Sequence, residues 1–287
     1  MSFVKSLRTV LSSTALGSIY RYYTDPRQKI QRYLSKCLAL FRKEYNVYWA
    51  GINQDRSLTT MTQQFDEVME NGYSIIPDYL TPEQLEKIRA EIFGVPGYLT
   101  GKYEGELPFT NKPNDGICAL GVTEKLPESY KVTIDNEELH SLARALFGEK
   151  IKLTASSALN KYNPLKKDSS SFPHWDDWRV RFKVFFYLTD VDKNHAVTIY
   201  CKGSRWGVPW RLEKDFCSVF LPTAAVGGSW LPVEELGFEK VSFVGKAGTL
   251  VIFDSLGIHA GTDLKEDNRV MLMNMYTTHI DFTHRSY

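Results

Sequence analysis

The chain has 287 residues, long enough to bury a core without disulfides or a structural metal, as one large domain or two small ones. Its 43% hydrophobic and 24% charged content is that of a globular protein and argues against wholesale disorder. A net charge of +1 excludes a whole-molecule field built for nucleic acid, and no apolar run reaches the ~18–20 residues that cross a bilayer.

The charge is unevenly spread. Residues 1–56 hold ten Lys/Arg against three acids, a net +7, which leaves −6 on the remainder. Within this segment, residues 9–20 are mildly apolar but diluted by Ser12, Ser13 and Ser18, with neither the apolar core nor the cleavage site of a secretory signal. The absence of acids before Asp25 also fits an organelle transit peptide. From Pro26 to about Trp49 the spacing predicts a helix. Ile30, Tyr33, Leu34, Cys37, Leu38, Leu40 and Phe41 lie on one side, and the basic residues fall largely elsewhere. Such a helix packs on its own domain, or else residues 1–50 make a peripheral contact with an anionic membrane or a protein. We therefore expect a basic helical extension over 1–56 and a functional domain over 57–287. Cys37, Cys118, Cys201 and Cys217 form no C-x-x-C pair and read as buried thiols of a reducing compartment, which points to the cytoplasm.

Residues 59–72 read as a short helix ending at Gly72, followed by a strand over 73–77. Thr81-Pro82-Glu83-Gln84 has the makings of a helix start, with Thr81 as cap, Pro82 in the first turn and Gln84 closing a capping box. That helix runs to Phe93 and stops at Gly94. Residues 95–130, rich in Gly, Pro, Asn and Lys, read as irregular loop with short strands, and 136–147 as a helix with Glu137 and Glu138 in its favourable first turn. After Gly148, β-branched and apolar runs recur at 150–162, 179–188, 196–201, 240–244, 249–253 and 269–278. Short strands in succession without intervening helices predict an antiparallel sandwich or barrel, here a mainly β core buttressed by N-terminal α-helices.

Chemistry-bearing residues gather in that β region. In extended geometry His174 and Asp176 of His174-Trp175-Asp176 point to one side and can offer an imidazole and a carboxylate to one metal. His259 follows the strand at 249–253, and two His with one carboxylate on a face is the arrangement of non-haem Fe(II) oxygenases. Arg269 enters the otherwise apolar strand Val270-Met271-Leu272-Met273, where a buried guanidinium requires an anionic partner. A dicarboxylic cosubstrate, chelating the metal at one end and meeting Arg269 at the other, accounts for both features. An ion pair of Arg269 with Asp254 or Asp263 is the structural alternative. Asp177 competes with Asp176 as ligand but leaves the strand face. Trp175, Trp178, Trp206, Trp210 and Trp230 either pack the barrel and a long 204–237 insertion or line a substrate pocket.

The ordered segments resemble the phytanoyl-CoA dioxygenase-like family of Fe(II)/2-oxoglutarate-dependent oxygenases. Asn71-Gly72-Tyr73-Ser74-Ile75-Ile76-Pro77 and the helix from Leu80 are similar to the family's opening strand and helix. Leu159-Asn160-Lys161-Tyr162-Asn163-Pro164 resembles the strand before the metal motif, and Phe172-Pro173-His174-Trp175-Asp176 the H-x-D pair itself. Tyr187 to Asp192 with Gly203-Ser204 resembles the run to a Gly-Ser-His turn, and Gly248 to Phe253, leading to His259 and Arg269, the closing strands. Coverage is about residues 70–280. The chain departs from the family pattern in the bulky Trp175, in Arg205 where a His often stands, and in Gly261 where Ser is frequent.

The resemblance implies a double-stranded β-helix (jelly-roll, cupin-like) core and an enzyme, a 2-oxoglutarate-dependent non-haem iron dioxygenase. Its metal and catalytic residues would be His174, Asp176 and His259, with Fe(II), 2-oxoglutarate and O2 as cofactors and cosubstrates. Arg269 would bind the distal carboxylate of 2-oxoglutarate, with Asn160 and Thr262 as further cosubstrate contacts. Tyr162, Trp175 and Phe185 are expected as walls of the pocket for a small organic substrate. Because Asp176 is a carboxylate and not Gly or Ala, the motif favours hydroxylation over halogenation. The competing readings are a non-catalytic jelly-roll binding module and a cupin-type metalloenzyme that does not use 2-oxoglutarate.

Overall fold

The computed structural model describes residues 26–113, 115–162, 173–176, 180–205 and 237–278. Expectations for the segment before Pro26, for Asp177, Trp178, Cys217 and the Trp-rich 206–236 stretch lie outside the described residues. The chain divides into two compact units, Met1–Gly51 and Ile52–Tyr287. The described part of the first unit is one helix, α1 (Pro26–Ala50), on which Tyr33, Leu40 and Val47 are exposed. Among the described residues, no helix is long and apolar enough to cross a membrane.

The second unit begins with a 3-10 turn, Arg56–Leu58, and α2 (Thr62–Asn71), which ends on Gly72 in the left-handed region at φ 89°. Strand β1 (Tyr73–Ile76) follows, then α3 (Pro82–Phe93). The start of α3 is the capping box anticipated at Thr81, whose hydroxyl accepts from the Gln84 amide while the Gln84 side chain accepts from the Thr81 amide. The 95–130 stretch is more ordered than its composition suggests. It contains β2 (Phe109–Lys112), β3 (Ile117–Gly121) and α4 (Pro127–Thr133). Pro127 at the start of α4 and Glu128 in its first turn were the available signals for that short helix. Next come α5 (Glu137–Phe147) and the strands β4 (Ile151–Lys161), β5 (Arg181–Tyr187), β6 (Thr198–Cys201), β7 (Lys240–Ser242), β8 (Leu250–Asp254), β9 (His259–Gly261) and β10 (Arg269–Thr278). Strand β9, not separated from its loop by any sequence pattern, is the one that carries a histidine of the site.

The strands form two antiparallel sheets, one ordered β1-β8-β5-β10-β4-β3-β2 and one ordered β7-β6-β9. The register sorts the large sheet into two faces. Phe182, Phe186, Leu272 and Tyr276 lie on one, against the helices, with Phe147 on Phe182 and Tyr79 on Phe186. On the other face Lys183, Phe185, Tyr187, Phe253, Met271 and Leu159 look toward the small sheet, and Phe185, Tyr187, Phe253 and Met271 share a core with Tyr200 and Phe243. Both faces of β8 and of the second half of β5 are buried, which is why Leu250–Phe253 and Val184–Tyr187 read as continuous apolar runs, whereas Arg181-Phe182-Lys183 alternates. Cys118 and Cys201 are buried and Cys37 is half-buried.

Candidate metal centre

His174 and His259 are paired across an antiparallel bridge, each amide donating to the other's carbonyl at 2.9 and 2.8 Å. That bridge extends the small sheet beyond β9 and brings the two imidazole rings to 4.5 Å between centroids. Two residues on, the Asp176 amide donates to Ser255 O at 3.1 Å, so the period of the extended chain delivers His174 and Asp176 to the same side. His174 Nε2 and His259 Nε2 each lie 3.7 Å from Asp176 Oδ1. One ligand atom from each of the three residues falls within 4.8 Å of the others.

The protonation of His259 is set by its surroundings. Its Nδ1 lies 2.9 Å from Gly257 O, which assigns the proton to Nδ1 and leaves a lone pair on Nε2. That Nε2 is buried without a hydrogen-bond partner. Burial pushes the imidazole down to about 3, with the neighbouring Lys183 and His174 acting in the same direction and Asp176 against it. Burial would raise the Asp176 carboxyl, but the Lys183 ammonium and His259 overcome it and hold the group well below the ordinary carboxylate range. Two imidazole nitrogens and an ionised oxygen around one point, one of them an orphaned buried lone pair, are suited to a divalent metal of the non-haem iron type.

Lys183 was not anticipated as part of this cluster. It stands on the inner face of β5, two residues from Phe185, and its Nζ forms an ion pair with Asp176 Oδ2 at 2.6 Å. Both side chains are largely buried, at 17% and 11% exposure.

Arg269 occupies the inner face at the start of β10, in line with Met271, and its Nη1 donates to Ala196 O. Thr262 reaches the next carbonyl, its hydroxyl and amide both meeting Val197 O at 3.0 Å. Arg269 and Thr262 thus converge on the 196–197 segment. The alternative ion pair of Arg269 with Asp254 is ruled out by register, because Asp254 faces the helices and there meets Arg205 Nε at 2.5 Å. That buried pair also places Arg205 over the Phe147 ring, 5.1 Å from its centroid.

Asn160 stands apart from Arg269. It is paired with Val270 and therefore lies on the helix-side face, opposite to Arg269, where its Nδ2 donates to Tyr98 O and Leu99 O at 3.3 and 2.9 Å. Lys161, its neighbour, takes the inner position directly across from Arg269 and is buried. Tyr162 also stands apart from the inner face. Its hydroxyl donates to Asn111 Oδ1 at 2.8 Å and its ring covers Gly101, so it belongs to the 98–111 segment and not to the inner face. Trp175, between His174 and Asp176, is turned the other way and buried among Cys201, Ile258 and Phe238. Phe185 does lie on the inner face, edge-on to Phe253 at 5.0 Å, and Phe253 in turn packs on His259 at 5.4 Å.

Fold and cluster together define a double-stranded β-helix protein with a candidate two-histidine, one-carboxylate centre. No protein-family model and no curated protein matches the chain. Solved structures do. The chain is similar to SnoN, a non-haem α-ketoglutarate-dependent epimerase from nogalamycin biosynthesis, at a TM-score of 0.54 and 16% identity over 75% of this chain and 82% of that one. It is similar to HygX from Streptomyces hygroscopicus, solved with nickel and 2-oxoglutarate, at a TM-score of 0.53 and 13% identity over 78% and 89% of the two chains. SnoK, a non-haem α-ketoglutarate-dependent carbocyclase also from nogalamycin biosynthesis, aligns at a TM-score of 0.51 and 17% identity over 79% and 87%. At such identities the likeness establishes the fold.

Proposed function

We propose that the protein is an Fe(II)- and 2-oxoglutarate-dependent oxygenase acting on a small organic substrate, in the branch that resembles the phytanoyl-CoA dioxygenases. The observation that carries this reading is the orphaned Nε2 of His259, directed at the same carboxylate oxygen as His174 Nε2 within a cluster 4.8 Å across. A non-catalytic binding module leaves that buried lone pair unexplained. In this reading, Fe(II) with 2-oxoglutarate and O2 supplies an oxidant that takes a hydrogen atom from an unactivated C–H, with succinate and CO2 as coproducts.

The residues of the chain position and enclose this chemistry. His174, Asp176 and His259 would hold the metal. The Gly257 carbonyl keeps the His259 proton on Nδ1, so that Nε2 is available as a ligand across the physiological pH range. Arg269, with Lys161 beside it on the neighbouring strand, makes a positive wall suited to the distal carboxylate of 2-oxoglutarate. Phe253 and Phe185 give the inner side of the site an apolar lining that excludes water. The carboxylate of Asp176 would hold the metal where a halogenating site would leave room for a halide, which favours hydroxylation. SnoN has been crystallised with nogalamycin RO and HygX with hygromycin B, and a small-molecule substrate is the corresponding assignment for this chain. Cysteines outside any disulfide at Cys37 and Cys118 suit a reducing, cytoplasmic setting.

The test is succinate formation from 2-oxoglutarate with Fe(II) and O2, together with anaerobic binding of 2-oxoglutarate to the iron-loaded protein. Failure of 2-oxoglutarate to bind would return the chain to a cupin-type metalloenzyme; failure of metal to bind would return it to a binding module.

A further inference from the structure

The ion pair of Lys183 with Asp176 has a direction. The two imidazoles approach Oδ1, each at 3.7 Å, whereas the ammonium approaches Oδ2, at 2.6 Å. The carboxylate is therefore divided into an oxygen facing the metal cluster and an oxygen already occupied by a cation. Its backbone is held by the bond from the Asp176 amide to Ser255 O, and Lys183 by the pairing of β5 with β8 and β10. Both partners are largely removed from water, so neither is held there by surface chance.

We propose that Lys183 is a positioning residue that keeps Asp176 a one-oxygen ligand. The inference rests on the reading of the cluster as an iron site. An octahedral metal held by two imidazoles and one carboxylate oxygen keeps three open positions, which is the number needed by a cosubstrate chelating through two atoms and by O2. A carboxylate free to chelate through both oxygens would take one of them. Lys183 blocks that outcome, since Oδ2 cannot turn to the metal without breaking the buried ion pair. The ammonium also stands beside the Phe253 ring, 5.9 Å from its centroid, which limits the directions in which it can withdraw.

The test uses the full chain loaded with Co(II), whose visible spectrum reports coordination without turnover. In Lys183→Met, the affinity of the Co(II)-loaded protein for 2-oxoglutarate should fall about tenfold or more, and the Co(II) spectrum should change before any cosubstrate is added. Lys183→Arg, which keeps a cation on Oδ2, should restore most of the affinity. Wild-type affinity and an unchanged spectrum in Lys183→Met would overturn the proposal. So would a crystal structure of the metal-loaded wild type with both Asp176 oxygens on the metal, a measurement that does not depend on the variant folding. Wild-type protein that binds Co(II) but not 2-oxoglutarate would overturn the oxygenase reading, and the same crystal structure would still decide the role of Lys183. Wild-type protein that binds no metal would overturn both.

Discussion

Arg269 and Lys161 face each other across paired strands on the inner side of the sheet, while Asn160, adjacent in sequence to Lys161, faces the helices. This difference of one residue separates two variants. Arg269→Ala should weaken 2-oxoglutarate binding about 10-fold or more and leave metal affinity nearly unchanged, because a charge-assisted bond to the carboxylate is lost and no ligand is touched. Asn160→Ala should leave cosubstrate affinity unaltered and instead lower stability, since the Tyr98 and Leu99 carbonyls each lose one of two donors and keep only Cys118 Sγ and Asn268 Nδ2. Anaerobic titration of 2-oxoglutarate beside a urea melt reads both; equal loss of metal and cosubstrate in Arg269→Ala would give Arg269 a structural role. The sequence made His174 and Asp176 legible because i and i+2 share a side in any extended segment. It could not do so for Asn160 and Lys161. The run Ala155-Ser156-Ser157-Ala158-Leu159-Asn160-Lys161 has no clean alternation, and which half of it faces inward is decided only by the partner strand.

The turn that carries His259 is held by packing of the small sheet. Tyr200 on β6 donates its hydroxyl to Asp254 O at 3.0 Å, and its ring is confined between Gly72 and Gly257. A side chain at Gly257 would run into the Tyr200 hydroxyl, and Gly257 O is also the acceptor that sets the His259 tautomer. Gly257→Ala should therefore reduce metal affinity about 10-fold without altering any ligand, measured by Co(II) titration. Between β8 and the segment after β6, Arg205 and Asp254 form an ion pair that is essentially buried, at 1% and 0% exposure. Arg205→Ala should cost about 3–5 kcal/mol of unfolding free energy, read from a urea melt, because it removes the cation of a buried ion pair while the Asp254 carboxylate stays in the core. The position of Arg205 was noted in the sequence as a departure from the Gly-Ser-His pattern. Its partner was not, since an ion pair spanning 49 positions leaves no local trace.

For the unit from Ile52 onward, the buried histidine gives stability a pH dependence of defined sign. His259 in the metal-free protein is held down to about 3, below the 6.5 of an unfolded chain, so between those values the unfolded state binds more protons. Stability from this group is complete above about pH 6.5 and is lost progressively as pH falls toward 3; the lowered Asp176 carboxyl adds to the loss below its own unfolded value near 3.8. The melting temperature of metal-free protein should fall from pH 7 to pH 4, and saturating metal at pH 7 should raise it. A flat profile over that range would mean that His259 is not buried as a neutral imidazole. The sequence by itself determined the mainly β core, the helices before it and the capping box at Thr81, and it singled out His174, Asp176 and His259 as candidates, because these depend on local period, local caps and short spacing. Tertiary structure alone decided that His174 and His259 share a bridge, that Lys183 takes the second oxygen of Asp176, and that Lys161 rather than Asn160 stands with Arg269. Each of these depends on strand register, and register is set by which residues pair across the sheet, which no single strand contains.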